Sequence, residues 1–361
     1  MKIVVMPGDG IGPEITQATL QVLELASRAF SLGLAFDTRE IGLGPLAKTG
    51  TTFPPEVLEA CRAADGLLLG PVSHQDYPPR AQGGINPSGE LRIRLDLYAN
   101  IRPSRSREGM KHWGRTPMDL VIVRENTEGF YADRNMHLGT GEFMPAPDLA
   151  LAVRKVSAKA SARIAASAFA LARTRRRKVT AVHKQNVMRL SDGLFLAEVR
   201  KVAAANPGVA YDEQLVDSMA ALLVRDAARY DVIVTTNMFG DILSDEAAEL
   251  SGSLGLAGSL NAGEAHAMAQ ASHGSAPDIA GQDKANPVSL LLSASMLLDW
   301  LSRRHAAPGF AQAAKAIDCA IDALLADPAS RTADLGGALG TRAFTDALCG
   351  QIQSRLARGA P

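Results

Sequence analysis

The chain has 361 residues, enough for two domains or one large α/β unit. Its 38 basic and 38 acidic side chains cancel, which excludes a net electrostatic pull toward nucleic acid or a membrane surface. A hydrophobic fraction of 47% with only 5% aromatics reads as a helix-rich soluble globule, and no apolar run reaches the roughly 18 residues of a membrane span. In chain order, Lys2–Met6 reads as a buried strand, and PGDGIGPE then turns the chain into a helix reaching about Phe30. Opening on a strand, without a charged and then apolar leader pattern, the chain reads as cytoplasmic. Gly8, Gly10 and Gly12 imitate a dinucleotide fingerprint, but its third glycine falls on Pro13, which suits helix entry and not close helix–strand packing. The fingerprint is rejected.

A strand at 34–39, a helix at 54–63 and a strand at 66–70 continue the alternation of a wound α/β sheet. The stretch 71–90 is rich in Gly and Pro and reads as a loop of roughly 20 residues, a length uncommon without a function. Beyond it lie Arg92 and Arg102, whose guanidinium forks match carboxylates, although taken alone they read rather as two surface arginines. The strand 119–123 delivers Arg124 and, after a short turn, the phenol of Tyr131; Gly139 to Pro147 reads as an irregular stretch or β arm.

A strand at 151–156 and a helix at 157–173 lead to the basic run Arg173 to Lys178, read as a solvated helix end and not a polyanion site. Lys184 follows a strand at 178–183, where sites in α/β proteins gather. Helix 189–205 and strand 209–216 follow, and Asp217 reads as a helix N-cap. The apolar strand 231–235 precedes a helix expected to begin near Gly240. Asp241 and Asp245 lie four residues apart on that helix, so their carboxylates share a face and repel, as two hard ligands awaiting Mg²⁺ or Mn²⁺ would. A solvated acidic helix start accounts for a lone aspartate there as well. A second long loop, 273–287, precedes helices at 287–304, 308–325 and 339–357. Cys61, Cys319 and Cys349 lie in Ala/Leu-rich helical stretches with no CxxC pair, as core filling in a reducing compartment would.

GDGIGPE, LRxxLxLYANIRP, RENTEGFYA, HK-x-N, VD-x-MA, N-x-FGDILSD and HGSAPDIAG-x-x-x-ANP occur in this order along the chain. Together they resemble the β-decarboxylating dehydrogenases that act on isocitrate, homoisocitrate, 3-isopropylmalate and tartrate or D-malate. The resemblance implies the two-domain α/β fold of isocitrate and isopropylmalate dehydrogenases, with a cofactor site that is not a Rossmann unit. Residues 1–98 plus 252–361 would form the large cofactor-binding domain, and 99–251 a smaller inserted domain carrying dimer contacts and the metal and catalytic residues.

Arg92, Arg102 and Arg124 match the arginines that bind the malate moiety. Asp241 and Asp245 match two metal ligands, with Asp217 of another subunit as the third. Tyr131 and a partner-borne Lys184 match the catalytic pair, so the resemblance implies a homodimer or higher homo-oligomer with shared sites. The 273–286 loop would hold the cofactor through His273, Gly274, Ser275, Ala276, Asp278, Ile279 and Asn286, with His273 and Asn286 at the adenine. Asp278 would repel a 2′-phosphate, which favours NAD over NADP. Asn86 and Ser88 occupy the positions that face the substituent on C3 of the malate. An apolar substituent would strand two polar groups there, at about 1–3 kcal/mol each. The expectation is therefore a small-molecule substrate with a polar C3 group, isocitrate or homoisocitrate. The alternatives are 3-isopropylmalate of leucine biosynthesis, tartrate or D-malate, or a non-catalytic regulatory subunit. The last would lack Tyr131, Lys184 or an aspartate ligand, and all are present.

Overall fold

The computed structural model describes residues 1–131 and 136–358. Ala132, which ends the RENTEGFYA motif, and the last residues of the expected large domain lie outside the described residues. The chain divides into two compact units, one of residues 1–95, 107–111 and 252–361, the other of residues 96–106 and 112–251.

The first unit opens with β1 (Lys2–Met6), α1 (Gly12–Ala29), β2 (Ala35–Thr38), α2 (Leu43–Thr49), α3 (Pro55–Arg62), β3 (Gly66–Leu69) and α4 (Pro87–Arg94). The second unit contributes β4 (Ala99–Arg105), β5 (Asp119–Glu125), β6 (Glu142–Ala146), β7 (Leu149–Ala152), α5 (Ala158–Arg173), β8 (Lys178–His183), α6 (Ser191–Ala204), β9 (Ala210–Leu215), α7 (Val216–Asp226), β10 (Val232–Thr235) and α8 (Asn237–Ser251). The chain then returns to the first unit with β11 (Leu260–Ala262), β12 (Ala267–Gln270), α9 (Val288–His305), α10 (Pro308–Ala326) and α11 (Thr341–Ala357). In the first unit β1 pairs in parallel with β2 and β3, β3 with β12, and β12 antiparallel with β11.

The sheet of the second unit runs β4-β5-β10-β8-β9, with β4 antiparallel to β5 and the other pairs parallel. Its strands are apolar on both faces because both are covered, and successive side chains go to opposite sides. Val121, Val123, Val179, Ala181, Val232 and Val234 pack on Phe169 of α5 and Phe195 of α6. Leu120, Ile122, Val182 and Ile233 pack instead with Leu223 of α7 and Leu243 of α8. Alternation carries forward one step: Arg124, two residues after Ile122, emerges on the α8 side.

Several elements differ from expectation. The stretch 71–90 is shorter as a loop, because Asn86 caps α4, accepting from Ser88 N at 3.1 Å and Gly89 N at 3.3 Å, with Pro87 in the first turn. Helix α8 starts at Asn237 and not near Gly240, whose N–H already donates to Thr236 O at 2.9 Å. Asp217 is not a cap; it lies inside the first turn of α7, and its carboxylate turns to Lys184. The strands β11 and β12 are too short, at three and four residues, to show a period in sequence.

Strands β6 and β7 form a separate two-stranded antiparallel sheet with Phe143, Met144, Leu149 and Leu151 exposed. Cys61 is fully buried, and burial pushes its thiol up to about 12, consistent with core filling. Among the described residues no helix is long and apolar enough to cross a membrane.

The basic run is bound to its own fold. Arg173 donates to Asn206 Oδ1 at 2.6 Å, Arg175 to Asp231 Oδ1 at 2.7 Å and to Asp119 Oδ1 at 2.8 Å, and Arg176 to the carbonyl of Tyr230. Asp231 is 1% exposed. Arg175→Ala should therefore destabilise by about 3 kcal/mol, because it takes from a buried carboxylate its hydrogen-bonded guanidinium and leaves only Arg176, 4.0 Å away. Urea unfolding checks this, and a change within 0.5 kcal/mol, the ordinary range of about ±0.5 for a surface site, would show the pair to be dispensable.

Candidate active site

The register of β4 on β5 sets Asn100 opposite Arg124 and Arg102 opposite Ile122. Directly opposed residues share a face, so Asn100, Arg102 and Arg124 all point toward α8. Arg102 donates from Nε to Asn100 Oδ1 at 2.7 Å and from Nη1 to Ser244 Oγ at 2.9 Å and Asp245 Oδ1 at 2.8 Å. Arg124, 2% exposed, donates from Nε to Asn237 Oδ1 at 2.9 Å, from Nη1 to Asp241, and from Nη2 to the Tyr131 hydroxyl at 2.5 Å. That hydroxyl donates in turn to Asp241 Oδ2 at 3.1 Å.

Gly240 makes this approach possible. A Cβ on Gly240 would lie 2.6 Å from Cβ and Cγ of Arg124, so the guanidinium stem runs along the helix only because nothing projects there. Tyr131 reaches the cluster through a turn fixed by the buried Glu125 carboxylate. It accepts from Thr127 N and Oγ1, at 2.7 and 2.6 Å, and from Glu128 N at 2.9 Å.

Burial, and after it the neighbouring Arg102, pull Arg124 below its ordinary pKa. Burial holds Asp245 above the carboxylate range, and the like charge of Asp241 adds to it against the pull of the two arginines. The side chains of Asp241 and Asp245 remain 42% and 51% exposed, so two arginine-bound carboxylates present hard oxygens to solvent from one helix face. This donor set fits Mg²⁺ or Mn²⁺ but is incomplete. Among the described residues no group of three or more His, Cys, Asp or Glu side chains could hold a metal.

Asp217, the third expected ligand, lies elsewhere. Strands β8 and β9 run parallel with His183 opposite Leu215, so Lys184 and Asp217 both follow the carboxyl ends of adjacent strands. Lys184 Nζ donates to Asp217 Oδ1 at 2.7 Å, and this bond holds the carboxylate below its usual pKa. Among the described residues no hydrogen bond or ion pair joins either to Arg102, Arg124, Tyr131, Asp241 or Asp245.

In the first unit, Gln270 at the end of β12 is a meeting point that sequence reading missed. Its Oε1 accepts from Ser88 Oγ at 2.9 Å, Arg92 Nη2 at 3.4 Å and Asn261 Nδ2 at 3.3 Å. Ser88 is buried at the start of α4, and Asn86 is engaged by its cap. No sequence signal marks Gln270, since the three donors come from segments about 180, 180 and 10 residues away in a chain whose contacts periodicity does not encode. Asn100, also missed, had a signal: it stands two residues before Arg102 on the same strand face.

The loop after β12 carries the expected cofactor residues. His273 Nδ1 lies 2.9 Å from the carbonyl of Gly274, which only a donor can satisfy, and burial depresses the ring's pKa. In the neutral ring that burial favours, Nε2 is an acceptor, and among the described residues that buried atom meets no hydrogen-bond partner. Asn286 donates to Asp334 Oδ2 at 2.9 Å and accepts from Val288 N at 3.0 Å. Ser275 meets Ser73 Oγ at 2.7 Å, and its carbonyl accepts Ile11 N at 2.8 Å beside Gly10, where a Cβ would lie 2.0 Å from the same oxygen. Thus the glycines of PGDGIG let two loops close on each other. Ala276 takes a left-handed backbone (φ 36°) before the turn of Pro277, Asp278 and Ile279, in which Asp278 is exposed. An unpartnered acceptor and an open carboxylate on one loop fit an adenosine with free ribose hydroxyls.

A family model described as isocitrate/isopropylmalate dehydrogenase matches residues 2–348. An isocitrate/homoisocitrate dehydrogenase of Thermus thermophilus is 42% identical over 354 residues, with 98% of this chain and 99% of that one covered. A 3-isopropylmalate dehydrogenase of Archaeoglobus fulgidus is 40% identical over 346 residues, covering 96% and 97%. The crystal structure of isocitrate dehydrogenase from Methylococcus capsulatus superposes with a TM-score of 0.85 at 37% identity, covering 98% and 99%. Matched along nearly its whole length in sequence and in fold, the chain belongs to the isocitrate/isopropylmalate dehydrogenase family, enzymes of the oxidoreductase class that act on small molecules.

Proposed function

We propose that the protein oxidatively decarboxylates a 3-substituted malate, with NAD⁺ as oxidant and a divalent cation, and that it prefers a polar substituent on C3. The observation that carries this reading is the Arg102, Arg124, Tyr131, Asp241 and Asp245 cluster, which combines carboxylate forks, an acid and cation ligands. When bound, NAD⁺ supplies the hydride acceptor, and Mg²⁺ or Mn²⁺, held by Asp241, Asp245 and a partner's Asp217, the Lewis acid that polarises the C2 oxygen.

The chain's own groups do the rest. Arg92, Arg102 and Arg124 grip the substrate carboxylates through their forks. Lys184 Nζ, acting as the neutral amine, takes the C2 hydroxyl proton as the C2 hydride leaves for the cofactor. In the resulting 2-oxo acid, whose carbonyl is β to the carboxylate on C3, the bond from C3 to that carboxylate breaks, CO₂ departs, and the electron pair passes into an enolate. Tyr131 returns a proton to C3. The Arg124 N–H donated to the Tyr131 oxygen favours the phenolate left behind, which is the condition for proton delivery.

Shared sites in a homodimer follow in this reading. Among the described residues the side chains of Lys184 and Asp217 pair with each other and with no member of this cluster, so they would complete a partner's cluster. Val187 and Leu190, just after Lys184, are 69% and 90% exposed, and Ile242, beside Asp241, is 62% exposed. With the bare faces of the β6–β7 sheet, they offer the apolar surface that a second copy would cover. Asp278, exposed on the cofactor loop, supports NAD over NADP.

The substrate preference rests on the amide donors of Asn86 and Gln270 beside Arg92: the α4 cap occupies only the Asn86 oxygen, and Gln270 accepts from Ser88 and Arg92 through its oxygen, so both amides keep N–H groups to donate. A substituent that accepts hydrogen bonds is served there, and an isopropyl group is not. Measured kcat/KM with NAD⁺ and Mn²⁺ should favour isocitrate or homoisocitrate over 3-isopropylmalate by about tenfold or more, the worth of one hydrogen bond. D-malate and tartrate complete the panel. A tenfold advantage for 3-isopropylmalate would overturn the preference, and no turnover with any of these substrates would overturn the activity.

A further inference from the structure

We propose that the buried ion pair of Arg154 and Asp192 is a positioning device for Lys184. The proposal rests on the reading of Lys184 as the proton acceptor, and it adds two residues to which no part of that chemistry assigns a role.

Asp192 is fully buried, in the first turn of α6, and the Arg154 side chain is 8% exposed. A buried ion pair is poor evidence for stability in itself, because desolvation of both charges offsets their attraction. What such a pair does with its remaining hydrogen bonds is more informative. Asp192 Oδ1 takes the Arg154 guanidinium, and Oδ2 accepts the backbone N–H of Lys184 at 2.5 Å. Lys184 is the first residue beyond β8, where the sheet ladder has ended. Its amide is held by a side chain, and that side chain is held by Arg154.

The guanidinium is itself fixed from several directions. Nη1 also donates to Ser191 Oγ at 3.0 Å, and Nη2 donates to Thr236 Oγ1 at 2.9 Å. The Phe130 and Phe239 rings lie 5.8 and 5.3 Å from its centre. Thr236 directly precedes Asn237, which holds Arg124. One buried cation therefore anchors the strand end that carries Lys184 and the strand end that leads into the aspartate helix. Rigid support of this kind matters for a long flexible lysine, whose amine must be held within hydrogen-bond reach of a proton.

The test compares Asp192→Asn, Arg154→Lys and Lys184→Met in the full-length enzyme. Asp192→Asn keeps an acceptor for the Lys184 amide but loses the charge that holds Arg154. It should lower kcat by about 10²-fold, the cost of a misplacement near 1 Å, with substrate KM little changed. The primary isotope effect on the C2 hydrogen should rise, because the chemical step slows relative to release. Loss of folded protein alone would lower the maximal rate and leave the isotope effect as it was. Arg154→Lys retains the charge but not the fork, so it should fold and show the same pattern more weakly; it decides the matter if Asp192→Asn does not fold. A dead Lys184→Met beside wild-type kcat in both variants would overturn the positioning role alone. An active Lys184→Met would overturn the reading of Lys184, and the proposal with it.

Discussion

Asp241→Asn and Asp245→Asn should each lower metal-dependent kcat/KM by about 10³-fold, the several kcal/mol that a Lewis acid contributes to the transition state. Carboxamides are nearly isosteric with carboxylates but are far weaker ligands for hard cations. The fold should survive, since both side chains are about half exposed and Asn can still accept from Arg102 or Arg124. Titration with Mn²⁺ and far-UV circular dichroism would separate the two effects. Variants that keep the metal dependence of the parent enzyme would show that these aspartates are not ligands.

The second large effect concerns shared sites. Lys184→Met and Asp241→Asn homodimers should each be almost inactive, yet a refolded mixture of the two should regain activity. In a mixed dimer one site collects both defects and the other collects neither. Half the dimers are mixed and half their sites are intact, so about a quarter of parental activity returns if exchange is random and the dimer is symmetric. No recovery in a mixture shown by mass spectrometry to contain mixed dimers would refute a site built from two chains.

How much of this was legible in sequence depended on the kind of signal. The apolar runs of β1, β3, β5, β8 and β10 stand out because strands buried on both faces need no alternation. The long helices α1, α5, α9, α10 and α11 show through their spacing, and each falls within about three residues of expectation, the ordinary uncertainty of a boundary. The Asp241–Asp245 pair was legible because helical spacing alone puts i and i+4 together. Its link to Arg102 and Arg124 was not, because that depends on the register of β4 against β5, which a single sequence does not encode. The same holds for Gln270 and for the Arg154–Asp192 pair. Asp217 was misread as a cap because an aspartate before an apolar helical run gives the same pattern whether it bonds the helix or a lysine on the next strand.

The run from Arg173 to Arg176 bears on solution behaviour. A sequence counts charges, whereas a distant polyanion senses only the field that remains after those charges meet their partners. Three of these guanidiniums already face Asn206, Asp119, Asp231 and the Tyr230 carbonyl. A polyanion gains affinity by exchanging its own condensed counterions for protein cations, and an arginine held by an aspartate must first give up that partner. For Arg175 the exchange would cost the buried Asp231 the nearer of its two cations, so the run acts within the folding equilibrium and contributes little to any association that salt could tune.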